Sequence, residues 1–174
     1  MESGEKVPSK EYHPELISRR GELIAWIAAS ITLVGWLILQ FTSTPVFFGL
    51  KILALLLFLA ALSISLGNWM DRQTVLRIES NAIYFENGLR KVDLGWEEIL
   101  RVEVIPSTWG NKVRVLGEKS HFDFRMLGEV KLQNEVKGRL GFEKGAEILE
   151  TILAKAHLEE TEGPDKDYLY YARK

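Results

Sequence analysis

Charge is segregated along this chain, and that segregation constrains the fold more than any other feature. No side chain is charged from Leu23 to Leu50, and none from Ile52 to Met70. Leu23–Phe41 (LIAWIAASITLVGWLILQF) holds 19 residues, with only Ser30, Thr32 and Gln40 polar. At the helical rise it reaches roughly 28 Å, close to the ~30 Å hydrocarbon core of a bilayer. Val46–Leu66 (VFFGLKILALLLFLAALSISL) holds 21 residues and reaches roughly 31 Å by the same rule. Helices that are apolar on every side are buried in lipid or in a large protein core. The remaining residues, about 100, do not supply such a core. The pattern therefore predicts a transmembrane hairpin over 23–69, with helices at about 23–41 and 46–67.

Only Thr42-Ser43-Thr44-Pro45 separates the spans, which forces them antiparallel. Thr44 suits the cap of the second helix, and Pro45 its first turn, where a missing N–H costs nothing. Small residues (Ala28, Thr32 and Gly35; Ala54, Ala61 and Ser65) let the two backbones approach. Trp26 and Trp69 sit near span ends, where indole rings favour the interface, and Trp36 can do the same. Arg19 and Arg20 precede the first span, Arg72 and Arg77 follow the second, and the link has no cation. The positive-inside rule then puts both termini in the cytoplasm. Lys51 dissents, about 8 Å below the link. Either its stem snorkels to the interface, or its ammonium meets a partner's carboxylate or a polar pocket in a larger assembly. The first apolar run exceeds a signal-peptide core and lacks a small-x-small cleavage site, so the hairpin is expected to stay.

After Trp69 the period changes to two. Leu76/Ile78, Ile83/Phe85, Val92/Leu94, Val102/Val104, Val113/Val115 and Phe122/Phe124 each alternate with polar neighbours. Ser80-Asn81 reads as a turn, and Asn87-Gly88 as a hairpin turn whose two residues tolerate positive φ at both central positions. About six short half-wet strands follow, in an antiparallel meander that curls into a small barrel or sandwich. Val130, Leu132 and Val136 fit a seventh. Phe142, Ala146, Leu149, Ile152/Leu153 and Ala156 then recur at helical steps, which predicts an amphipathic helix closing the open end.

Three stretches, RIESNAIYFENG, KVDLGWEEILRVEV and GFEKGAEILETILAKA, resemble small bacterial pleckstrin-homology-like domains over roughly Thr74 to Leu158. Such domains place an aromatic-acid-acid-aliphatic corner between neighbouring strands, and such bacterial proteins often carry a membrane hairpin upstream. The resemblance implies that Trp96 and Ile99 turn inward at a tight helical corner. Glu97 and Glu98 then stay wet, and as acids they suit its positive end. It also implies a membrane α-helical hairpin followed by an α+β domain at 72–160, with a six- or seven-stranded antiparallel barrel or sandwich capped by a C-terminal helix. The expected location is a bacterial plasma membrane, with the domain cytoplasmic. A scaffold shape of this kind implies no activity.

The chemistry-bearing residues assemble no reaction centre. His13, His121 and His157 fall in no metal or catalytic spacing, and His121 alternates outward on a strand. GRLGFEKG lacks the Lys-Ser/Thr of a phosphate loop, and there is neither G-x-G-x-x-G nor G-x-S-x-G. With no cysteine in the chain, disulfides, thiolate metal sites and a Cys nucleophile are excluded. From Arg72 onward 17 Lys/Arg face 18 Asp/Glu, so no field draws nucleic acid. Neither span holds an acid or a charge pair, which argues against a transporter or channel acting alone. The expectation is a protein that is no enzyme, with no cofactor, metal or small-molecule substrate.

Binding surfaces are better candidates. PSTWGN (106–111) puts Trp109 at a hairpin tip, where it folds back over the barrel end, enters the bilayer interface or anchors a partner. Lys112 and Arg114 point outward beside it, and Arg90 and Lys91 mark another hairpin. With Lys119 and Arg125 they are candidate contacts for anionic headgroups, each cation adding only about 1 kcal/mol. Tyr168, Tyr170 and Tyr171 lie in a C-terminal tail at 161–174. The tail docks on its own domain as an extra strand, on the membrane interface or on another subunit. Residues 1–22 read as a polar tail, irregular and then helical into the first span. Trp26, Trp69, Arg19, Arg20, Lys51 and Arg72 are the expected interface anchors. Two functions fit: an accessory or assembly subunit contacting other integral-membrane proteins, or a self-associating module docking to anionic lipid headgroups.

Overall fold

The structure, a computed structural model, describes residues 9–15, 19–42, 47–132, 135–165 and 167–173. The chain divides into two compact units, one at Ser18–Met70 and one made of Met1–Ile17 with Asp71–Lys174.

The first unit is a helix pair, α1 (Arg20–Phe41) and α2 (Phe48–Arg72), and both helices are long and apolar enough to cross a membrane. They overrun the apolar stretches because the polar ends, Arg20 to Glu22 and Gly67 to Arg72, continue the helical turns. The expected cap at Thr44 and Pro45 lies outside the described residues. Ala54 and Ala61, one heptad apart, are buried on α2, and Ala29 is buried on α1. On α1 the seam is thus centred on Ala29, while Ala28, Thr32 and Gly35 are half-buried beside it.

A polar chain ties the two helices together. The Trp26 indole N–H donates to Ser65 Oγ (2.8 Å), and the Ser65 hydroxyl donates to Glu22 Oε1 (2.8 Å). Asn68 Nδ2 donates to Glu22 Oε2 (2.9 Å). Trp26 also meets Phe58 edge-on, with ring centroids 5.8 Å apart. Its indole is therefore spent on the helix–helix contact. Interhelical hydrogen bonds between apolar helices of this kind contribute about 0.6 kcal/mol each on average.

The second unit contains every strand among the described residues. One antiparallel sheet runs β1 (Lys10–Tyr12), β2 (Thr74–Ile78), β3 (Ala82–Asn87), β4 (Lys91–Gly95) in that order. The chain then makes a 3-10 turn at Trp96–Glu98. The other strands are β5 (Ile99–Ile105), β6 (Lys112–Gly117), β7 (His121–Arg125), β8 (Gly128–Leu132), β9 (Glu135–Leu140), β10 (Glu159–Thr161) and β11 (Leu169–Ala172). They form a five-stranded sheet, β10-β11-β5-β6-β7, and a two-stranded ribbon, β8-β9. Helix α3 (Gly145–Ala156) precedes β10.

The six alternating runs become β2 to β7 with the expected residues inside: Leu76, Ile83, Val102, Val113 and Val115 are fully buried. Phe85 of β3 stacks on Phe122 of β7 at 5.0 Å, so the two larger sheets share one core. Among the described residues no ladder joins these two sheets, so the strands do not close into a hydrogen-bonded barrel.

Four expectations are corrected. Among the described residues the strands number eleven in place of six or seven, and the expected seventh is two, β8 and β9, folded on each other. Lys10–Tyr12, read as tail, pairs with β2, from Lys10 opposite Ile78 to Tyr12 opposite Leu76. The buried stripe of α3 is Gly145, Ile148, Ile152 and Ala156; Ala146 is exposed, and Phe142 is buried ahead of the helix. In the β3–β4 turn, Asn87 N–H donates to Arg90 O (3.1 Å), which makes Gly88 and Leu89 the central pair. Only Gly88 has positive φ (79°), while Asn87 serves through Oδ1, which accepts the Arg90 N–H at 2.9 Å.

The aromatic-acid-acid corner is built as the resemblance implied. Trp96 and Ile99 are buried, and Glu97 and Glu98 are exposed. Glu98 Oε2 accepts the Gly95 N–H at 2.9 Å, and the Trp96 indole donates to Ser80 O at 3.0 Å. Arg173 closes this corner from the far end of the chain, donating to Trp96 O, Glu97 O and Ala156 O at 3.3 Å each.

Candidate functional site

The β5–β6 loop is an expected contact site that the fold both exposes and fixes. Trp109 is 55% exposed, so it does not fold back over the core. Its backbone, by contrast, is held from several sides. Arg125, at the end of β7, donates through one guanidinium nitrogen to Ser107 Oγ (3.2 Å), Trp109 O (3.3 Å) and Gly110 O (3.4 Å). Met126 N–H donates to Asn111 O at 2.9 Å. Gly110 takes φ 89°, a conformation that glycine adopts without steric cost. Gly128 lies against the loop so closely that a Cβ there would stand 2.1 Å from Trp109 C and O. The indole thus projects from a locked pedestal.

Most of the candidate cations are engaged within the domain. Lys112 Nζ lies 2.6 Å from Asp123, and Arg114 bridges Asp123 (3.2 Å) and Glu103 (3.6 Å). Lys91 pairs with Glu86 at 2.8 Å. Hydrogen bonds from Lys91 and then Tyr84 hold the Glu86 carboxyl below its usual range, and Glu86 in turn raises the Lys91 ammonium. Arg90 faces the His121 ring at 3.5 Å, and Arg125 holds the Trp109 loop. A cation with an acid already beside it attracts an external anion less.

Glu103 falls on the polar side of the β5 alternation, yet it does not face outward. It is buried, with Arg101 at 2.7 Å. The cause is β11, which pairs with β5 and makes it an interior strand. Tyr170, Glu103, Arg114 and Asp123 then stand in register across four strands. Leu100 is exposed beside this row because the β5–β6 register shifts between Ile99 and Arg101.

The C-terminal tyrosines dock on their own domain as an added strand. Tyr170 is buried, Tyr171 packs on the core and Tyr168 is half-buried, its ring 6.2 Å from that of Tyr170. Burial, then the charge of Glu160, lifts the Tyr171 phenol above its usual value. Arg19 lies just before α1, Arg20 begins it and Arg72 ends α2, while Trp69 is exposed on α2. Lys51, also exposed, lines a cleft between α1 and α2. Among the described residues no three His, Asp or Glu side chains gather as metal ligands. No known protein family, curated protein or solved structure matches this chain.

Proposed function

We propose that this protein is a non-enzymatic accessory or assembly subunit of a bacterial plasma membrane. In this reading α1 and α2 anchor it, both termini are cytoplasmic, and a pleckstrin-homology-like domain docks another integral-membrane protein through the Trp109 loop. The two facing sheets, the buried Trp96 corner and the C-terminal helix support the domain type. The carrying observation is the exposed indole on a fixed backbone. Tryptophan is enriched among residues that dominate protein interfaces, and a pre-ordered loop loses little freedom on docking. Headgroup docking by the same domain has less to draw on, since Lys91, Lys112 and Arg114 already face acids.

The test substitutes Trp109→Ala in the full chain and measures both the size of the detergent-extracted complex and the unfolding midpoint. The substitution is expected to release partner polypeptides while shifting stability by less than about 0.5 kcal/mol, as for an exposed position. An unchanged complex would remove Trp109 from the interface.

A further inference from the structure

We propose that the cleft between α1 and α2 holds one acyl chain of an anionic phospholipid, whose phosphate pairs with Lys51. The inference rests on the transmembrane reading of the two helices. The cleft has a volume of about 340 Å³; Ala29 and Ala54 open it, Trp36 and Phe58 wall it, and Lys51 lies at one end. Lys51 is three residues into α2, about 4.5 Å along its axis, and Phe58 lies about 10 Å deeper. The cleft is therefore cationic near the link and apolar toward the middle of the helices, which is the polarity gradient of a phospholipid.

Three observations choose this occupant. No acid occurs from Leu23 to Met70, and among the described residues no hydrogen bond or ion pair engages Lys51. The balancing anion therefore comes from outside the spans. A helix, about 10–12 Å across with its side chains, is too thick for a cleft of this volume, whereas a single methylene chain enters it. The Trp36 indole N–H is buried beside the cleft without an acceptor among the described residues. It lies deeper than Lys51, at the level where a phospholipid carries its ester carbonyls below the phosphate.

The test uses the full chain, extracted in mild detergent, stripped of lipid and titrated with phosphatidylglycerol or with phosphatidylcholine of the same chains, read by native mass spectrometry. One phosphatidylglycerol per chain is expected, bound in preference to phosphatidylcholine. Lys51→Gln is expected to weaken it about fivefold, the loss of one cation at an anionic headgroup. Ala54→Phe, which fills the cleft, is expected to abolish it, with circular dichroism confirming that the helices persist. Equal binding of the two lipids, or unchanged binding by Lys51→Gln, overturns the proposal. So does a partner polypeptide crosslinked at position 55 in place of lipid. Release of the chain from membranes by alkaline wash alone would instead refute the transmembrane reading, a separate failure.

Discussion

Two glycines in the same ribbon are expected to respond to alanine with opposite signs. A Cβ on Gly128 would stand 2.1 Å from Trp109 C and O and 2.4 Å from Gly110 N, all backbone atoms that no side-chain rotation can clear. Carbon contacts settle near 3.5–4.0 Å, so the Trp109 loop has to retreat by about 1.5 Å. Overpacking of this kind costs about 1–3 kcal/mol. Gly138, on β9, has nothing within 4 Å of its added Cβ, and its φ is not positive. Alanine there restricts the unfolded chain and gains about 0.5–1 kcal/mol. Urea unfolding of the full chain in mild detergent, followed by tryptophan fluorescence, reads both. With a slope of about 2 kcal/mol per molar, Gly128→Ala lowers the midpoint by about 0.5–1.5 M and Gly138→Ala raises it by about 0.2–0.5 M. A Gly128→Ala midpoint at or above the parent's would refute the locked pedestal.

Three further outcomes are expected. Arg173→Ala removes the bonds to Trp96 O, Glu97 O and Ala156 O and should lower stability by about 1 kcal/mol in the same urea assay. Ser65→Ala breaks the Trp26–Ser65–Glu22 chain and should weaken the helix pair by about 0.6–1.7 kcal/mol, measured by its thermal unfolding in mild detergent. The third concerns the pair Lys10–Glu147. The Lys10 hydrogen bond is the main cause that holds Glu147 below its ordinary 4.5, so this contribution is complete above pH 4.5 and fades as pH falls through the lowered value. The Glu147 hydrogen bond, with that of Tyr12, holds Lys10 above its ordinary 10.5, so its contribution fades only as pH rises through the raised value. The stability gap between parent and Glu147→Gln should therefore be flat from about pH 5 to 10 and close at both extremes. A gap that persists at pH 2.5 would show that the pair is not its source.

Alternation made most of the second unit legible, because a half-buried strand writes its inner face into every second residue. That is why Leu76, Ile83, Phe122 and their neighbours fell inside as read. Lys10–Tyr12 and Glu159–Thr161 escaped because three residues carry no period. Glu103 escaped because its burial depends on β11, which joins β5 from 65 or more residues further along the chain. On α3, Ile152 and Ala156 lie inside as read. Its first turn was not legible, because the inner position is Gly145, which has no side chain to mark it, while the apolar Ala146 beside it faces out. In the helix pair, composition disclosed the apolar spans but not the Glu22–Ser65–Asn68 chain, whose members are more than 40 residues apart in two of its links. Trp109 was legible as a tip residue; the lock beneath it, made by Arg125 and Gly128, was not, since each comes from a later strand.

The most direct test of the docking reading places a photo-crosslinking residue at position 109 of the full chain in native membranes. A matched control stands at Leu89, an exposed apolar side chain on the β3–β4 turn. After irradiation and mild detergent extraction, the account predicts a discrete adduct with another integral-membrane polypeptide at 109 and none at 89, within a complex several times the monomer's mass. A homogeneous monomer or small homo-oligomer, with no adduct at 109 beyond the control, would contradict it.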